Sequence, residues 1–200
     1  MTPQRLVLAS ASASRAALLR AAGIEFAAEP ANIDEGAVKQ AFRAAGQAAI
    51  DCALELAEAK ANAIARRNPG AFVIGADQIL VMGEDWFDKP ADLAAAAAQL
   101  RRLGGRTHAL ATAACVVRDD ERLWRATSAP KLTMRRFGEG FLAGYIAAEG
   151  EALLGSVGAY RIEGRGVQLF SAIEGDHFAI LGLPLLELLE FLRERGLVGT

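Results

Sequence analysis

Two cysteines, two histidines, 6% aromatic residues and a net charge of −2 exclude several classes of protein at once. Cys52 and Cys115 are far apart and lack the spacing of a zinc or redox motif, so both are read as reduced packing residues of a cytoplasmic protein. His108 and His177 lie in apolar, strand-like surroundings, without the Ser or carboxylate spacing of a catalytic triad or zinc site. With 22 Lys and Arg against 24 Asp and Glu, interspersed in sign, no basic face is available for a nucleic-acid polymer and no charged patch for a membrane surface. The N-terminal apolar run, Leu6 to Ala9, is too short for a signal-peptide core, and no stretch is long enough to span a bilayer. The Gly-rich segment Gly155-Ser156-Val157-Gly158 does not fit a dinucleotide fingerprint, which argues against a Rossmann dehydrogenase.

What is present is a 200-residue chain with 52% hydrophobic residues, enough for a substantial core in a single domain over 1–200, built as one body or two small lobes. Short apolar runs alternate with amphipathic segments, an α/β pattern. After an opening strand and helix, Ile24 to Ala28 reads as extended and Pro30 to Asp34 as a turn. One long helix is expected from Val38 to Arg67. Phe72 to Ala76 reads as a buried strand and Asp92 to Leu103 as a helix. Thr107 to Val117 and Leu123 to Met134 read as a long hairpin around Arg118-Asp119-Asp120-Glu121. Phe137 to Ala148 and Pro184 to Arg195 read as helices, and Gly155 to Ile180 as Gly-punctuated strand.

The most informative segment is Leu6-Val7-Leu8-Ala9-Ser10-Ala11-Ser12-Ala13-Ser14-Arg15, a short strand running into serines and an arginine at the head of a helix that stops at Gly23. Unpaired N–H groups and the positive dipole end attract anions there, and hydroxyls serve as caps or ligands. Arg15 opposes the dipole, a conflict that an anionic ligand would resolve; the plainer reading is a Ser cap followed by a solvated Arg.

Asp77 follows Phe72-Val73-Ile74-Gly75-Ala76 directly, where open α/β sheets place ligands, with small Gly75 and Ala76 leaving space around it and Gln78 adding an amide. Asp34-Glu35, Lys60 and Lys89-Pro90 read singly as a helix N-terminal acidic pair, a solvated helix residue and a turn. Together they supply acidic metal ligands or a general base, plus cations for a polyphosphate, the inventory for metal-assisted attack of water on a phosphoanhydride.

In order and spacing, Leu8-Ala9-Ser10 with Ser12 and Arg15, Asp34-Glu35, Glu58 with Lys60, Gly75-Ala76-Asp77, Lys89-Pro90, Gly158-Ala159-Tyr160 with Glu163-Gly164, and Gly182-Leu183-Pro184 resemble the Maf-like nucleoside triphosphate pyrophosphatases over essentially the whole chain. The resemblance implies a two-lobed mixed α/β fold with a deep central cleft, like that of the inosine triphosphate pyrophosphatases, and homodimers in many members. It implies hydrolysis of a nucleoside triphosphate to the monophosphate and pyrophosphate with a divalent cation, Mg²⁺ or Mn²⁺. On this chain the catalytic aspartate falls on Asp77; Ser10, Ser12, Arg15, Lys60 and Lys89 fall on substrate, and Glu35 with Asp77 on the metal. Ala13-Ser14 replaces the Pro and first of two arginines usual in the family, and Gln78 with Glu163 resembles the branch preferring 7-methyl-GTP. The alternative is a noncatalytic nucleotide-binding regulator of cell division.

Overall fold

The computed structural model describes residues 5–199, which divide into two compact units. The first takes the chain up to Gln78, Ala111–Ser128 and everything from Asp176; the second takes Ile79–Leu110 and Ala129–Gly175. The fold is mixed α/β, with parallel and antiparallel strand pairs.

In the first unit, β1 (Leu6–Leu8) runs parallel to both β2 (Ala27–Ala28) and the start of β3 (Phe72–Met82). Alternate residues of β1 and β3 face opposite sides, and both sides are covered, which explains why these strands read as continuous apolar runs. Leu6, Leu8, Phe72 and Ile74 share a buried cluster with Leu19 of α1 (Ala13–Ala21) and with Leu188 and Phe191 of α7 (Leu185–Glu194). Val7, Ala9 and Val73 pack with Ala57, Ala61 and Ile64 of α3 (Ala49–Ala65). Trp124 of β6 (Glu121–Ser128) stacks on Phe191 of α7 and closes the Phe191 cluster.

The single helix expected over Val38 to Arg67 is two: α2 (Glu35–Ala44) and then α3. Gly46 adopts φ +64°, its N–H bonds Arg43 O at 3.1 Å and that of Gln47 bonds Phe42 O at 3.0 Å. This paired closure, with glycine in the left-handed region, terminates α2 before propensity can carry it on. At its other end Asp34 caps it, Oδ1 accepting from Ala37 N–H at 2.9 Å, so Glu35 is the first helical residue.

In the second unit β4 (Asp85–Phe87) folds back on the end of β3, and α4 (Leu93–Leu103) precedes β5 (Thr107–Arg118). The second strand of the expected hairpin, Leu123 to Met134, is broken at Ala129-Pro130. Its first half is β6, which pairs with Thr112–Arg118 of β5 in the first unit, and its second is β7 (Lys131–Met134), which pairs with Thr107–Ala109 in the second. Proline lacks the N–H that an uninterrupted ladder would need. After α5 (Glu139–Glu149), the segment expected to be strand over Gly155 to Ile180 runs as turns and short 3₁₀ segments as far as Leu169. Only β8 (Phe170–Glu174) is extended, followed by α6 (His177–Ile180).

Both cysteines are free and buried, and burial pushes their thiols up to about 11 for Cys52 and about 12 for Cys115, so they are inert packing groups. No helix among the described residues is long and apolar enough to cross a membrane.

His108 is likewise a core residue. Its Nε2 lies 2.8 Å from Tyr160 Oη, Nδ1 is buried without a hydrogen-bond partner among the described residues, and burial holds its pKa down at about 4. A base with a depressed folded pKa stays neutral in the native state while the unfolded chain takes up a proton below about 6.5, so stability falls as pH drops from there towards 4. His108→Gln is expected to flatten the dependence of Tm on pH across this window; a mutant as acid-sensitive as the wild type would assign the effect to other groups.

Candidate active site

Three elements of the first unit build the chemistry. The loop after β1 presents Ser10 and Ser12, and Ser12 caps α1, its Oγ accepting from Arg15 N–H at 3.4 Å. Arg15 is not the solvated residue of the plainer reading: it is 8% exposed. Its Nε donates to Gly182 O at 2.7 Å and Nη1 to Ser10 Oγ at 3.1 Å, while Ser12 N–H also bonds Ser10 Oγ. Burial lowers the pKa of the guanidinium, against the pull of Asp77 and Glu35, and Arg15 stays charged at any physiological pH. The result is a preorganised cation beside two hydroxyls at a helix head.

Asp77 lies within β3, because the strand runs through it to Met82 and does not end before it. The gap expected around Asp77 is also filled on one side: the main chain of α3 occupies the place of a Gly75 side chain, and a Cβ there would stand 2.0 Å from Ala57 O. This close approach brings Lys60 of α3 to Asp77. Lys60 Nζ donates to Asp77 Oδ1 at 2.5 Å and pairs with Glu35 Oε1 at 2.7 Å. Lys60 and Asp77 are 8% and 5% exposed, whereas the Glu35 side chain is 44% exposed. Lys60 is therefore a buried counter-cation shared by two carboxylates, in place of the solvated residue of the single-residue reading. Asp77 Oδ2 is buried and accepts no hydrogen bond from the described residues, an acceptor still open to a water molecule or a cation. No group of three His, Cys, Asp or Glu suited to a metal occurs among the described residues.

Gln78, half-buried, uses its amide internally: Nε2 donates to Thr112 Oγ1, Ala179 O and Ile180 O at 2.8, 2.9 and 3.2 Å. Lys89 and Glu163 belong to the second unit. Lys89 is exposed in the loop after β4, and Glu163 is exposed in a turn, with Oε1 3.6 Å from Arg161 Nε. The first unit thus brings together Ser10, Ser12, Arg15, Glu35, Lys60, Asp77 and Gln78. Sequence reasoning gave no role to Thr112, to the carbonyls of α6 or to that of Gly182. The Gly182-Leu183-Pro184 turn was visible as a motif, but its carbonyl has no sequence signature.

A mixed α/β fold with a buried Lys–carboxylate centre beside a serine and arginine loop defines the class. The profile of the family described as Maf-like protein matches residues 5–195, and the chain belongs to that family. It is 53% identical over 190 residues to a nucleoside triphosphate pyrophosphatase of Granulibacter bethesdensis, covering 95% of this chain and 96% of that protein. A nucleoside triphosphate pyrophosphatase of Rhodospirillum rubrum is 48% identical over 193 residues, 96% of each chain. A 7-methyl-GTP pyrophosphatase of Rhizobium meliloti is 50% identical over 195 residues, 98% of each.

Proposed function

We propose that this chain hydrolyses nucleoside triphosphates to the nucleoside monophosphate and pyrophosphate, clearing modified or noncanonical nucleotides from the cytoplasm. The observation that carries the reading is the Glu35–Lys60–Asp77 centre, with Asp77 Oδ2 open, in the same unit as the Arg15 seat. Relatives that match nearly end to end bear the names of nucleoside triphosphate and 7-methyl-GTP pyrophosphatases, which supports the same chemistry.

Ser10, Ser12 and Arg15 hold phosphate oxygens by hydroxyl and charge-assisted donation, and Lys89 adds a further cation. Lys60 fixes the orientation of Asp77 through Oδ1, leaving Oδ2 to take the proton from the attacking water. The water oxygen bonds to the α-phosphorus as the bridging P–O bond breaks, and pyrophosphate leaves with the bond's electron pair. Glu35 and Asp77 suit a Mg²⁺ or Mn²⁺ ion, since such ions need only one or two carboxylates when phosphates complete their shell. A bound ion would neutralise charge on the phosphates and the leaving group. In this reading the working form is a homodimer.

Pyrophosphate release with Mg²⁺, measured across canonical and modified triphosphates, tests the reaction; nucleotide binding without release would support a regulator. The same panel tests the base. An ionised Glu163 accepts two hydrogen bonds from the N1–H and exocyclic amine of guanine, and N7-methylation adds positive charge to that ring. We therefore expect 7-methyl-GTP or a related guanine nucleotide to exceed dTTP and UTP. Glu163→Gln is expected to move the ranking towards uracil and thymine. An unmoved ranking would reduce Glu163 to a brace on Arg161.

A further inference from the structure

We infer that Gln78 is a positioning residue for the phosphate seat, acting through the α6 turn and Arg15. The inference rests on the pyrophosphatase reading only for what the seat holds. The Gln78 amide has two hydrogens and faces three acceptors, one of them a hydroxyl whose own hydrogen is committed, because Thr112 Oγ1 donates to Ala179 O at 3.0 Å. Turning the amide over would set Oε1 against two carbonyl oxygens, so its orientation is fixed and its donor side is consumed. A glutamine that reads a uracil or thymine edge must offer a donor as well as an acceptor. Gln78 has only the acceptor to give.

What these bonds hold is a four-residue helix that could not persist alone. Asp176 caps α6 through Phe178 N–H and Ala179 N–H, at 3.0 and 2.9 Å, while Gln78 and Thr112 tie its last carbonyls to β3 and β5. The chain then turns: Gly182 N–H bonds Ala179 O at 3.0 Å, and Gly182 adopts φ +100°, open to glycine at little cost. Its carbonyl receives Arg15 Nε at 2.7 Å. A guanidinium is planar, so fixing Nε on Gly182 O and Nη1 on Ser10 Oγ fixes the direction of Nη2, which has no hydrogen-bond partner among the described residues. Gln78 thereby sets the aim of a cation it never touches.

Calorimetric binding of inorganic tripolyphosphate, which has no base, separates this role from base recognition. Gln78→Leu keeps the bulk and removes the donors; it is expected to weaken tripolyphosphate about tenfold and to leave the ranking of nucleotides unchanged. Thr112→Val is expected to weaken it as well, and Thr112→Ser, which restores the hydroxyl, to retain the affinity. In an Arg15→Ala background, Gln78→Leu should add less than about a twofold loss, because its route to the phosphate is already cut. Unchanged tripolyphosphate affinity in Gln78→Leu, or a changed base ranking with that affinity intact, overturns the inference. So does a full additional loss in the Arg15→Ala background, which would mark Gln78 as merely structural. Should Gln78→Leu fail to fold, the Thr112→Val and Thr112→Ser pair decides: equal affinities defeat the proposal. A wild-type protein that binds no tripolyphosphate removes the seat itself, a failure of the pyrophosphatase reading that is distinct from failure of the network.

Discussion

Asp77→Asn is expected to give a folded protein that binds nucleotide yet releases pyrophosphate about 10²–10⁴-fold more slowly, the range for loss of a general base. The fold survives because the amide keeps the carboxylate's shape and, with its oxygen turned to Lys60, still accepts that hydrogen bond. Lys60 also retains Glu35 as counter-ion at 2.7 Å. What disappears is the anionic Oδ2, the oxygen of the pair that accepts nothing from the described residues. Pyrophosphate release measured beside Tm and tripolyphosphate binding checks this, with the last two expected to stay near wild type. A folded Asp77→Asn protein that turns over normally would place water activation on another group.

The chemistry was legible in the sequence where a residue broke a local rule, and illegible where a distant partner explained the breach. Arg15 at a helix head contradicts the dipole and so pointed to a site, but its partner Gly182 lies 167 residues further on and no spacing encodes that meeting. Lys60 looked like a solvated helix residue beside Glu58. The signal against that was present: Ala53, Leu56, Ala57, Ala61 and Ile64 recur at helical spacing, all fully buried, and Lys60 falls on their face. A lysine within an apolar stripe needs a buried partner, and Asp77 and Glu35 provide two. Long periodic elements such as α4 and α7 were read well. Errors gathered where a single residue outweighed the pattern, at Gly46, which ends α2, and at Pro130, which divides β6 from β7.

The Lys60–Asp77 pair depends on a contact that tolerates no side chain, so Gly75→Ala is expected to be severely disruptive although it adds one methyl group. That methyl would stand 2.0 Å from Ala57 O, 2.9 Å from Ala61 Cβ and 3.0 Å from Ala57 C. Two of these atoms are main chain, which cannot swing aside as a rotamer can. Relief therefore requires α3 to withdraw from β3, opening the seam that buries Ala57, Ala61 and Ile64 against Val7 and Val73. Overpacking usually costs about 1–3 kcal/mol, and a clash with backbone belongs at or above the top of that range. For a chain of 200 residues, about 3 kcal/mol lowers Tm by roughly 6–12 °C. The same withdrawal carries Lys60 away from Asp77, so turnover should fall even at temperatures where the mutant remains folded, since a displacement near 1 Å at a positioned group can cost about 10²-fold. Thermal unfolding and pyrophosphate release well below Tm check the two effects separately. Wild-type values for both would mean that α3 can shift without cost and that its approach to β3 does not set the Lys60–Asp77 geometry.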